Sequence, residues 1–425
     1  MPTDYLPRVV DRELDELMAG VAAIAVEGPR AVGKTRTSAR RAATSYRLDD
    51  PAIHQIVAAD PWRVLAGTPP VLIDEWQRAP ECWDAVRRAV DDDPSPGRFL
   101  LTGSATPPEL PTHTGAGRIV RVRMRPLSLA ERAICAPLVS LRALLAGSRP
   151  PIGGSTEVGL ETYVQEIVAG GFPGLRGLTG RPLRAQLDNY LDRLLDRDFA
   201  EAGTTTRRPN TLHRWLEAYA AATSTAASYE TIRDAATPGH SEKPARTTVE
   251  RYLDTLERLW VVEPVPAWSP SANLLARLGS APKHQLADPA LSARLLGIDA
   301  DALLNGQTGG PSIPRPGTLL GALFESLVTL SLRVYAQAAE ARVMHLRTRD
   351  GDHEVDLVAE RPDGRIVAFE VKLARTVADE DVRHLLWLRD RIGASLLDSL
   401  IITAGPEAYR RPDGIAVVPA ALLGP

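Results

Sequence analysis

One stretch of the sequence decides the fold of the amino-terminal part of the chain: Ala23-Ile24-Ala25-Val26-Glu27-Gly28-Pro29-Arg30-Ala31-Val32-Gly33-Lys34-Thr35. Its apolar beginning predicts a buried strand that ends at Gly28. The two glycines and the final Lys34-Thr35 pair then match the phosphate-binding pattern G-x-x-x-x-G-K-[ST] in full. A chance match in an ordinary strand–helix turn is the alternative, and the strand that precedes the glycines argues against it.

The pattern assigns a role to each of its residues. The loop that should turn its backbone N–H groups towards phosphate oxygens consists of Gly28, Pro29, Arg30, Ala31, Val32 and Gly33. Lys34 is expected to reach the β- and γ-phosphates, and the Thr35 hydroxyl to hold Mg²⁺. The positive end of the helix that begins after the loop attracts the same anion. The sequence therefore predicts a nucleotide bound together with Mg²⁺.

A second strand ends in two adjacent carboxylates. The apolar run Pro70–Ile73 leads into Asp74 and Glu75, and Asp74 lies 40 residues after Lys34. Such a pair suits a magnesium-dependent nucleotidase, in which Asp74 binds Mg²⁺ through water and Glu75 orients and deprotonates the attacking water. Two acids after a strand are common at loop starts. Their position after a complete phosphate-binding loop is what favours hydrolysis.

Two further strands supply candidate contacts for the γ-phosphate. The run Arg98–Leu101 ends in hydroxyl side chains, and Thr102 or Ser104 is a candidate for the position between the second acid and the γ-phosphate. An ordinary strand-end turn is the alternative. The segment Gly117–Arg123 alternates apolar and basic residues, which predicts a half-exposed strand. Arg118 at its start is a candidate contact for the γ-phosphate, with a solvated arginine as the alternative.

The composition is that of an ordinary globular protein. The 425 residues are 44% hydrophobic and 24% charged, which suits two or three domains. Cys82 and Cys135 are too few for a disulfide framework or a cysteine zinc site. The sequence shows no amino-terminal signal pattern and no apolar run near ~18 residues, so we expect a cytoplasmic protein with no membrane segment. The net charge of −3 neither favours nor excludes nucleic acid.

Lysine is rare in this chain. Of 50 basic residues, the lysines are Lys34, Lys243, Lys283 and Lys372. Arginine cannot replace lysine where a compact ammonium on a flexible stem is needed. A retained lysine is therefore informative, and Lys34 already has its explanation in the phosphate-binding loop.

The middle of the chain predicts helices and a winged helix-turn-helix. The expected elements are helices at Leu183–Phe199, Tyr229–Ala236 and Thr247–Leu259, a turn at 237–239 and a strand at Trp260–Val265. Short helices followed by a strand suit a winged helix, in which Lys243, Arg246 and Arg251 would lie near a DNA-facing helix. The alternative is a winged helix packed against protein, because this segment is not strongly basic.

The carboxy-terminal part predicts a helix and a β-hairpin that carry charged residues. A Gly- and Pro-rich linker occupies residues 305–317, and a helix with Glu325 follows at Leu319–Ala336. The hairpin strands are expected at His353–Glu360 and Ile366–Leu373, on either side of an Asp-Gly turn. Alternation along a strand places Glu370 and Lys372 on one face, where Asp356 of the paired strand can meet them.

These residues form the pattern D-x13-E-x-K, that of the PD-(D/E)xK nucleases. Asp356 and Glu370 would bind Mg²⁺ or Mn²⁺, and Lys372 would position or activate water. Glu325 matches the helix carboxylate that is often present in that family. The alternative is a hairpin with solvated charges, or an inactive relic that is kept for structure.

Motifs along the whole chain resemble the predicted AAA+ ATPases of the AAA_14/DUF4143 family. They are Gly28–Thr35, Arg47–Pro51, Leu72–Trp76, Leu100–Ala105, Arg125–Leu129, Gly170–Gly174, Arg197–Phe199 and Leu286–Pro289. The resemblance implies an α/β fold with a P-loop AAA+ type parallel sheet at residues 1–135 and a helical and winged-helix domain at 136–304. It implies a restriction-endonuclease-like domain at 318–425, after the linker.

Two functions from different classes follow from this organisation. The first is a cytoplasmic AAA+ protein that hydrolyses ATP and acts on DNA or RNA through its winged helix and a metal-dependent nuclease-like domain. The second is a nucleotide-dependent signalling or scaffold protein whose carboxy-terminal fold binds a partner and cleaves nothing. The lack of an obvious basic stripe favours the second. Further copies of the same chain are candidate partners in either case.

Overall fold

A computed structural model describes residues 5–105, 115–202, 209–237, 243–269, 281–307, 309–315, 317–348 and 351–425. The described chain is a mixed α/β structure with two main sheets. The α/β class and the parallel amino-terminal sheet expected from the sequence are confirmed. Most of the predicted turn at 237–239 lies outside the described residues.

Five parallel strands form the amino-terminal sheet: β1 (Ala23–Glu27), β2 (Thr44–Arg47), β3 (Val71–Asp74), β4 (Phe99–Gly103) and β5 (Ile119–Arg123). Their order across the sheet is β2-β3-β4-β1-β5. Strands β1, β3 and β4 are buried along their whole length, as expected of parallel strands covered on both faces. Because parallel strands end at one edge, the residues after β1, β3 and β4 are neighbours.

Helices cover both faces of this sheet and fill the middle of the chain. Those of the first 135 residues are Val10–Met18, Lys34–Ala39, Pro51–Ala59 and Glu81–Asp92, with 3-10 turns at Pro61–Leu65, Trp76–Arg78 and Leu129–Arg132. Those that follow are Leu141–Leu145, Leu160–Ala169, Gly180–Arg193, Phe199–Glu201, Pro209–Ala221, Tyr229–Ala235, Arg246–Arg258, Pro289–Leu295 and Ala300–Leu304, with a 3-10 turn at Pro173–Leu175 and a π-turn at Leu194–Asp198.

The carboxy-terminal part contributes most of a second sheet. Its helices and 3-10 turns are Leu319–Ala338, Asp379–Val382, Arg383–Ile392, Gly393–Ser395 and Ala420–Leu422. The remaining strands of the chain are β6 (Val139–Ser140), β7 (Gly154–Ser155), β8 (Ala267–Trp268), β9 (Arg342–Arg347), β10 (Glu354–Glu360), β11 (Ile366–Lys372), β12 (Leu396–Thr403), β13 (Glu407–Arg410), β14 (Ala416–Pro419) and β15 (Leu423–Gly424). The second sheet has the order β7-β13-β14-β12-β11-β10-β9-β8, and β15 pairs with β6.

The second sheet shows that distant parts of the chain fold together. Its edge strands β7 and β8 come from the middle of the chain, and its interior strands come from the carboxy-terminal part. The antiparallel pairing of β10 with β11 confirms the predicted hairpin. One buried hydrophobic cluster also runs from Val10 through the middle helices to Leu423. The three parts therefore share a core.

An ion network joins the same three parts at a single half-buried carboxylate, Glu263. Arg125 Nη2 lies 2.6 Å from Glu263 Oε1, and the guanidiniums of Arg123 and Arg333 each approach Oε2 to 3.7 Å. Arg123 and Arg125 belong to the end of the amino-terminal part, and Arg333 to the helix Leu319–Ala338. Burial opposes ionisation, but the arginines outweigh it and hold the pKa of Glu263 well below its usual range.

Two predictions about the middle of the chain, a strand at Trp260–Val265 and a winged helix, are not confirmed. No strand forms at Trp260–Val265 among the described residues; Val262 and Val265 each make one β-bridge, to Leu286 and Lys283. Val261, Val262 and Val265 are buried in the core, and the segment exchanges backbone hydrogen bonds with residues 283–287, but these give isolated bridges and no continuous ladder. The helix Arg246–Arg258 is present as expected, yet a winged helix is not confirmed.

One expectation about membranes needs correction. The helix Leu319–Ala338 is long and apolar enough to cross a membrane, although the sequence seemed to lack such a run. Of its most apolar window, 83% is buried inside the protein. Glu325 and Arg333 on this helix face charged partners within the fold. The helix therefore packs as a core helix of this structure.

The predicted linker is largely exposed where the structure describes it, but two of its residues anchor it to the fold. Ile313 is buried, and Arg315 donates a hydrogen bond to the carbonyl of Ala221 at 2.6 Å. The predicted domain boundaries at residues 135, 304 and 317 stay predictions.

Candidate functional site

The loop after β1 has the backbone shape of a phosphate-binding loop. A side chain at Gly28 would place its Cβ 2.0 Å from the carbonyl oxygen of Met124, so only glycine allows this close approach. Gly33 has φ +99° and Ala31 has φ +63°, both in the left-handed region. Arg8 supports the loop from below, because its Nη1 donates to the carbonyl of Val32 at 2.7 Å. The curled loop leaves its inner side open towards the pocket.

Lys34 lies folded onto this loop. Its Nζ donates to the carbonyls of Gly28 and Pro29, both at 2.8 Å, and the side chain is buried. Burial lowers the pKa of Lys34 to about 8, against the attraction of Glu75 and Asp74. An anionic phosphate would give this ammonium a better partner than two carbonyl oxygens. The lysine is thus placed to exchange its loop contacts for phosphate contacts.

The predicted magnesium ligands lie beside one another. Thr35 Oγ1 donates to Asp74 Oδ1 at 2.7 Å, across the gap between the loop and the end of β3. Thr102 Oγ1 donates to the same carboxylate oxygen from the end of β4. Burial raises the pKa of Asp74, while the hydrogen bonds from Thr102 and Thr35 oppose that rise. A hydroxyl and a carboxylate at this spacing are the hard oxygen donors that Mg²⁺ takes, so the residues fit the ion.

Glu75 occupies a strained turn directly after Asp74. Its φ of +58° is rare for a residue with a side chain, and such strain is typical of functional positions. Ser104 Oγ donates to Glu75 Oε2 at 3.0 Å, and the amide of Gln77 donates to the same oxygen. The carboxylate is therefore held in one orientation at the edge of the sheet, where it can act as a base towards a water molecule.

The two hydroxyls predicted at the end of the β4 region contact the acids differently. Thr102 Oγ1 donates to the Asp74 carboxylate and accepts a hydrogen bond from the backbone N–H of Glu75 at 3.3 Å, whereas Ser104 contacts the Glu75 carboxylate. Strand β4 lies between β1 and β3, which is why its end reaches both acids. Ser104 is thus the residue that the structure places next to the second acid.

Arg118 is not brought to this site. It precedes β5, and β5 runs parallel to β1 with Ile119 opposite Ala23, so Arg118 lies at the opposite edge of the sheet from Gly28. Six residues of strand separate the two levels, roughly 20 Å. Arg118 instead pairs with Asp91 at 2.7 Å. The expectation that it contacts the γ-phosphate in its own chain is wrong, because parallel strands begin at the far edge.

The pocket in front of the loop is built by more of the chain than the motif. It has a volume of about 720 Å³ and is lined by Lys34, Thr35 and Glu75, and also by Tyr5 and by Pro173–Gly177. Within the last segment, Arg176 makes a two-pronged ion pair with Glu166 at 2.8 and 2.9 Å. Residues Gly170–Gly174 were predicted to matter only through the family resemblance. The Gly and Pro residues of this segment were the signal that could have indicated an unusual turn, and Gly170 does have a positive φ of 72°.

The carboxy-terminal residues of the D-x13-E-x-K pattern do converge. Asp356 Oδ2 accepts a hydrogen bond from the backbone N–H of Val371 at 2.9 Å, and Lys372 Nζ lies 3.4 Å from Glu370 Oε2. Burial and the neighbouring Asp356 raise the pKa of Glu370 well above its usual range. Glu325 approaches the same cluster from the helix Leu319–Ala338. The predicted set is therefore assembled around one point.

A residue that the pattern did not include occupies the centre of this cluster. Lys283 Nζ lies 2.9 Å from Asp356 Oδ1 and 3.1 Å from both Glu325 Oε1 and Glu354 Oε1. Burial would lower the pKa of Lys283, but these carboxylates outweigh it and hold the pKa well above its usual range. Within the described residues, no group of His, Cys, Asp and Glu is arranged to hold a metal ion. The residues do not fit the metal of the nuclease pattern, because an ammonium takes its place.

Comparison with known proteins finds three family models that match separate segments of the chain. Residues 21–133 match the AAA domain family AAA_14, residues 160–302 match a domain of unknown function, DUF8612, and residues 320–423 match another, DUF4143. The resemblance to AAA_14 and DUF4143 is thereby confirmed for those segments.

Similar whole chains are also known. Uncharacterized proteins of Mycobacterium bovis and Mycobacterium tuberculosis are each 28% identical over 404 residues, covering 93% of this chain and 80% of theirs. The Walker-type ATPase of Pyrococcus abyssi is 16% identical in sequence and aligns with a TM-score of 0.41, covering 69% of this chain and 97% of its own.

The pKa of Lys34 predicts how nucleotide affinity depends on pH. Because Lys34 has a pKa of about 8 without nucleotide and a phosphate would raise it, binding above pH 8 must take up a proton. We expect the affinity for a non-hydrolysable ATP analogue to be constant from pH 7 to about 7.5 and then to fall by up to roughly tenfold per pH unit. Fluorescence titration with a labelled analogue measures this. A constant affinity up to pH 9.5 would contradict the assignment.

Proposed function

We propose that this protein binds and hydrolyses ATP with Mg²⁺ at the edge of its amino-terminal sheet. The observation that carries the proposal is the joint position of Thr35, Asp74 and Glu75 beside a loop of phosphate-binding shape. The match of residues 21–133 to an AAA domain supports the same class of activity. A location in the cytoplasm belongs to this proposal, as does assembly with further copies of the chain.

The binding step uses the loop and its lysine. The backbone N–H groups of residues 28 and 30–33 would receive the phosphate oxygens, and Lys34 would leave the carbonyls of Gly28 and Pro29 for the β- and γ-phosphates. Thr35 and Asp74 would hold the ion, which when bound neutralises phosphate charge. Arg176 faces the same pocket from the middle of the chain, where it would stabilise negative charge on the nucleotide.

The chemical step uses Glu75. A water molecule in line with the γ-phosphate would give its proton to this carboxylate as it attacks phosphorus. Ser104 and Gln77 keep the carboxylate in place, so that its free oxygen faces the pocket. Proximity and electrostatic stabilisation then supply most of the rate, as is general for phosphoryl transfer.

Replacement of Glu75 separates binding from hydrolysis. Glu75→Gln should keep the affinity for ATP but hydrolyse it at least ~100-fold more slowly, because the general base is lost. Lys34→Ala should lose tight binding itself, because the phosphates lose their buried ammonium. Single-turnover phosphate release and equilibrium nucleotide binding measure the two effects.

A control is available on the same surface. Glu81→Gln changes an exposed acid at the start of the helix Glu81–Asp92 and should hydrolyse ATP like the wild type. Unchanged turnover in Glu75→Gln would show that another group is the base. Loss of turnover in both variants would indicate a general effect of charge.

The carboxy-terminal part leaves two alternatives, a metal-dependent nuclease and a partner-binding module. The convergence of Asp356, Glu370 and Lys372 favours the nuclease. The ammonium of Lys283 in the centre of the cluster opposes it, because it occupies the position in which Mg²⁺ or Mn²⁺ would be bound. We therefore favour the second alternative, in which ATP turnover controls a module that binds a partner and does not cleave nucleic acid.

The basic residues of the middle segment favour the same alternative. Lys243 is paired with Glu230 and Asp234, and Arg246 with Glu250. Charges compensated in this way attract a phosphate backbone weakly. Neither DNA nor RNA is therefore the partner that this surface favours.

A salt titration tests whether Lys243, Arg246 and Arg251 contact the phosphates of a nucleic acid. We expect the triple variant Lys243→Ala, Arg246→Ala, Arg251→Ala to bind DNA with the same weak affinity and the same salt slope as the wild type. If these residues contacted three phosphates, the triple variant would reduce the slope of log K against log [salt] by about 3. Fluorescence anisotropy at several salt concentrations measures it. Such a reduction would restore the nucleic-acid function and contradict the partner-binding alternative.

A further inference from the structure

Lys283 connects two parts of the chain that are far apart in sequence. Its backbone exchanges two hydrogen bonds with Val265 in the middle segment, at 2.8 and 3.0 Å. Its side chain reaches Glu325 on the helix Leu319–Ala338, and Glu354 and Asp356 on β10. The Lys283 side chain is only 2% exposed, whereas the side chain of its partner Glu354 is 29% exposed.

The number of partners matches the chemistry of an ammonium. Lysine has three N–H donors and no acceptor, and three carboxylate oxygens lie within 3.1 Å of Nζ. A planar guanidinium could not direct its donors to three acceptors around one point. The chain uses arginine almost everywhere else, and the compact shape needed here explains why a lysine is kept at this position.

The residues around Lys283 respond to burial and to its charge. Burial raises the pKa of Glu325 to about 8, against the attraction of Lys283. Burial, followed by the charge of Lys283, lowers the pKa of His345 to about 4. One ammonium thus contacts the acids Glu325, Glu354 and Asp356 at the centre of the cluster.

The lysine predicted to assist catalysis has a different environment. Lys372 lies at the rim, 34% exposed, and its distance of 3.4 Å to Glu370 is longer than any contact of Lys283. Glu370 Oε1 is buried and makes no hydrogen bond to the described residues. Glu370 Oε1 is therefore an acceptor that a metal could use if the ammonium of Lys283 were removed.

We infer that the ammonium of Lys283 is the structural cation of this cluster, in the position that a divalent metal would take, and that it fastens the middle segment to the carboxy-terminal sheet. The wild-type cluster then binds no metal and hydrolyses no phosphodiester. A neutral side chain of similar length at position 283 turns the same carboxylates into a divalent-cation site. This inference does not depend on ATP hydrolysis.

The test compares two lysines of the cluster in nucleotide-free full-length protein. Wild-type Tm should be the same in EDTA and in Mn²⁺. Lys283→Met should lower Tm in EDTA by roughly 5 °C, because it leaves buried carboxylates without their cation. Added Mn²⁺ should restore part of this loss and bind at one site per chain, as measured by electron paramagnetic resonance. Lys372→Met is the matched control and should stay within about 2 °C of the wild type without a response to Mn²⁺.

Further variants keep the test decisive. Adding Asp356→Asn to Lys283→Met should abolish the response to Mn²⁺, which assigns the site to this cluster. If Lys283→Met does not fold, Lys283→Met with Glu325→Gln replaces it, since glutamine keeps the size of Glu325 and removes one of the acids that Lys283 contacts. The inference is overturned if nucleotide-free wild type binds Mn²⁺ at a site that Asp356→Asn removes. It is also overturned if the folded Lys283 variants remain indifferent to Mn²⁺.

Discussion

The carboxylate of Glu263 is enclosed by guanidiniums from two other parts of the chain. Arg123 is the last residue of β5, the strand beside β1, and Arg125 follows two residues later. Arg333 lies on the helix Leu319–Ala338. Removing Glu263 would leave these guanidiniums without their shared carboxylate, which would destabilise the fold because the charges are largely shielded from water. The arrangement therefore requires the three parts to keep their relative positions, and the shared hydrophobic core has the same effect.

Arg123 also links the amino-terminal sheet to the middle segment through an aromatic ring. Its guanidinium lies 3.8 Å above the ring of Trp260. Burial lowers the pKa of Arg123 to about 9, with Glu263 opposing. Arg123 ends β5, which pairs with β1, the strand that leads into the phosphate-binding loop. The same arginine therefore connects the middle segment to the sheet that holds the candidate nucleotide site.

The sequence predicted the elements that depend on local patterns and missed those that depend on distant contacts. The loop Gly28–Thr35 and the β10–β11 hairpin are both formed, because spacing and turn residues specify them. The role predicted for Arg118 was wrong because Arg118 precedes β5, and a parallel strand begins at the edge of the sheet opposite the phosphate-binding loop. Lys283 contacts residues 42 to 73 positions away, and no spacing rule connects them. The sequence also did not predict Arg176, because this residue reaches the pocket through the packing of the middle of the chain and not through a local pattern.

Calorimetry tests most directly the central claim that the nucleotide site and the carboxy-terminal fold are one cooperative unit. The measurement is differential scanning calorimetry of the Glu75→Gln protein with and without Mg²⁺ and ATP. The account predicts that the transition containing the carboxy-terminal sheet moves to higher temperature together with that of the amino-terminal sheet when nucleotide binds. Two separate transitions, of which the carboxy-terminal one keeps its temperature, would contradict it.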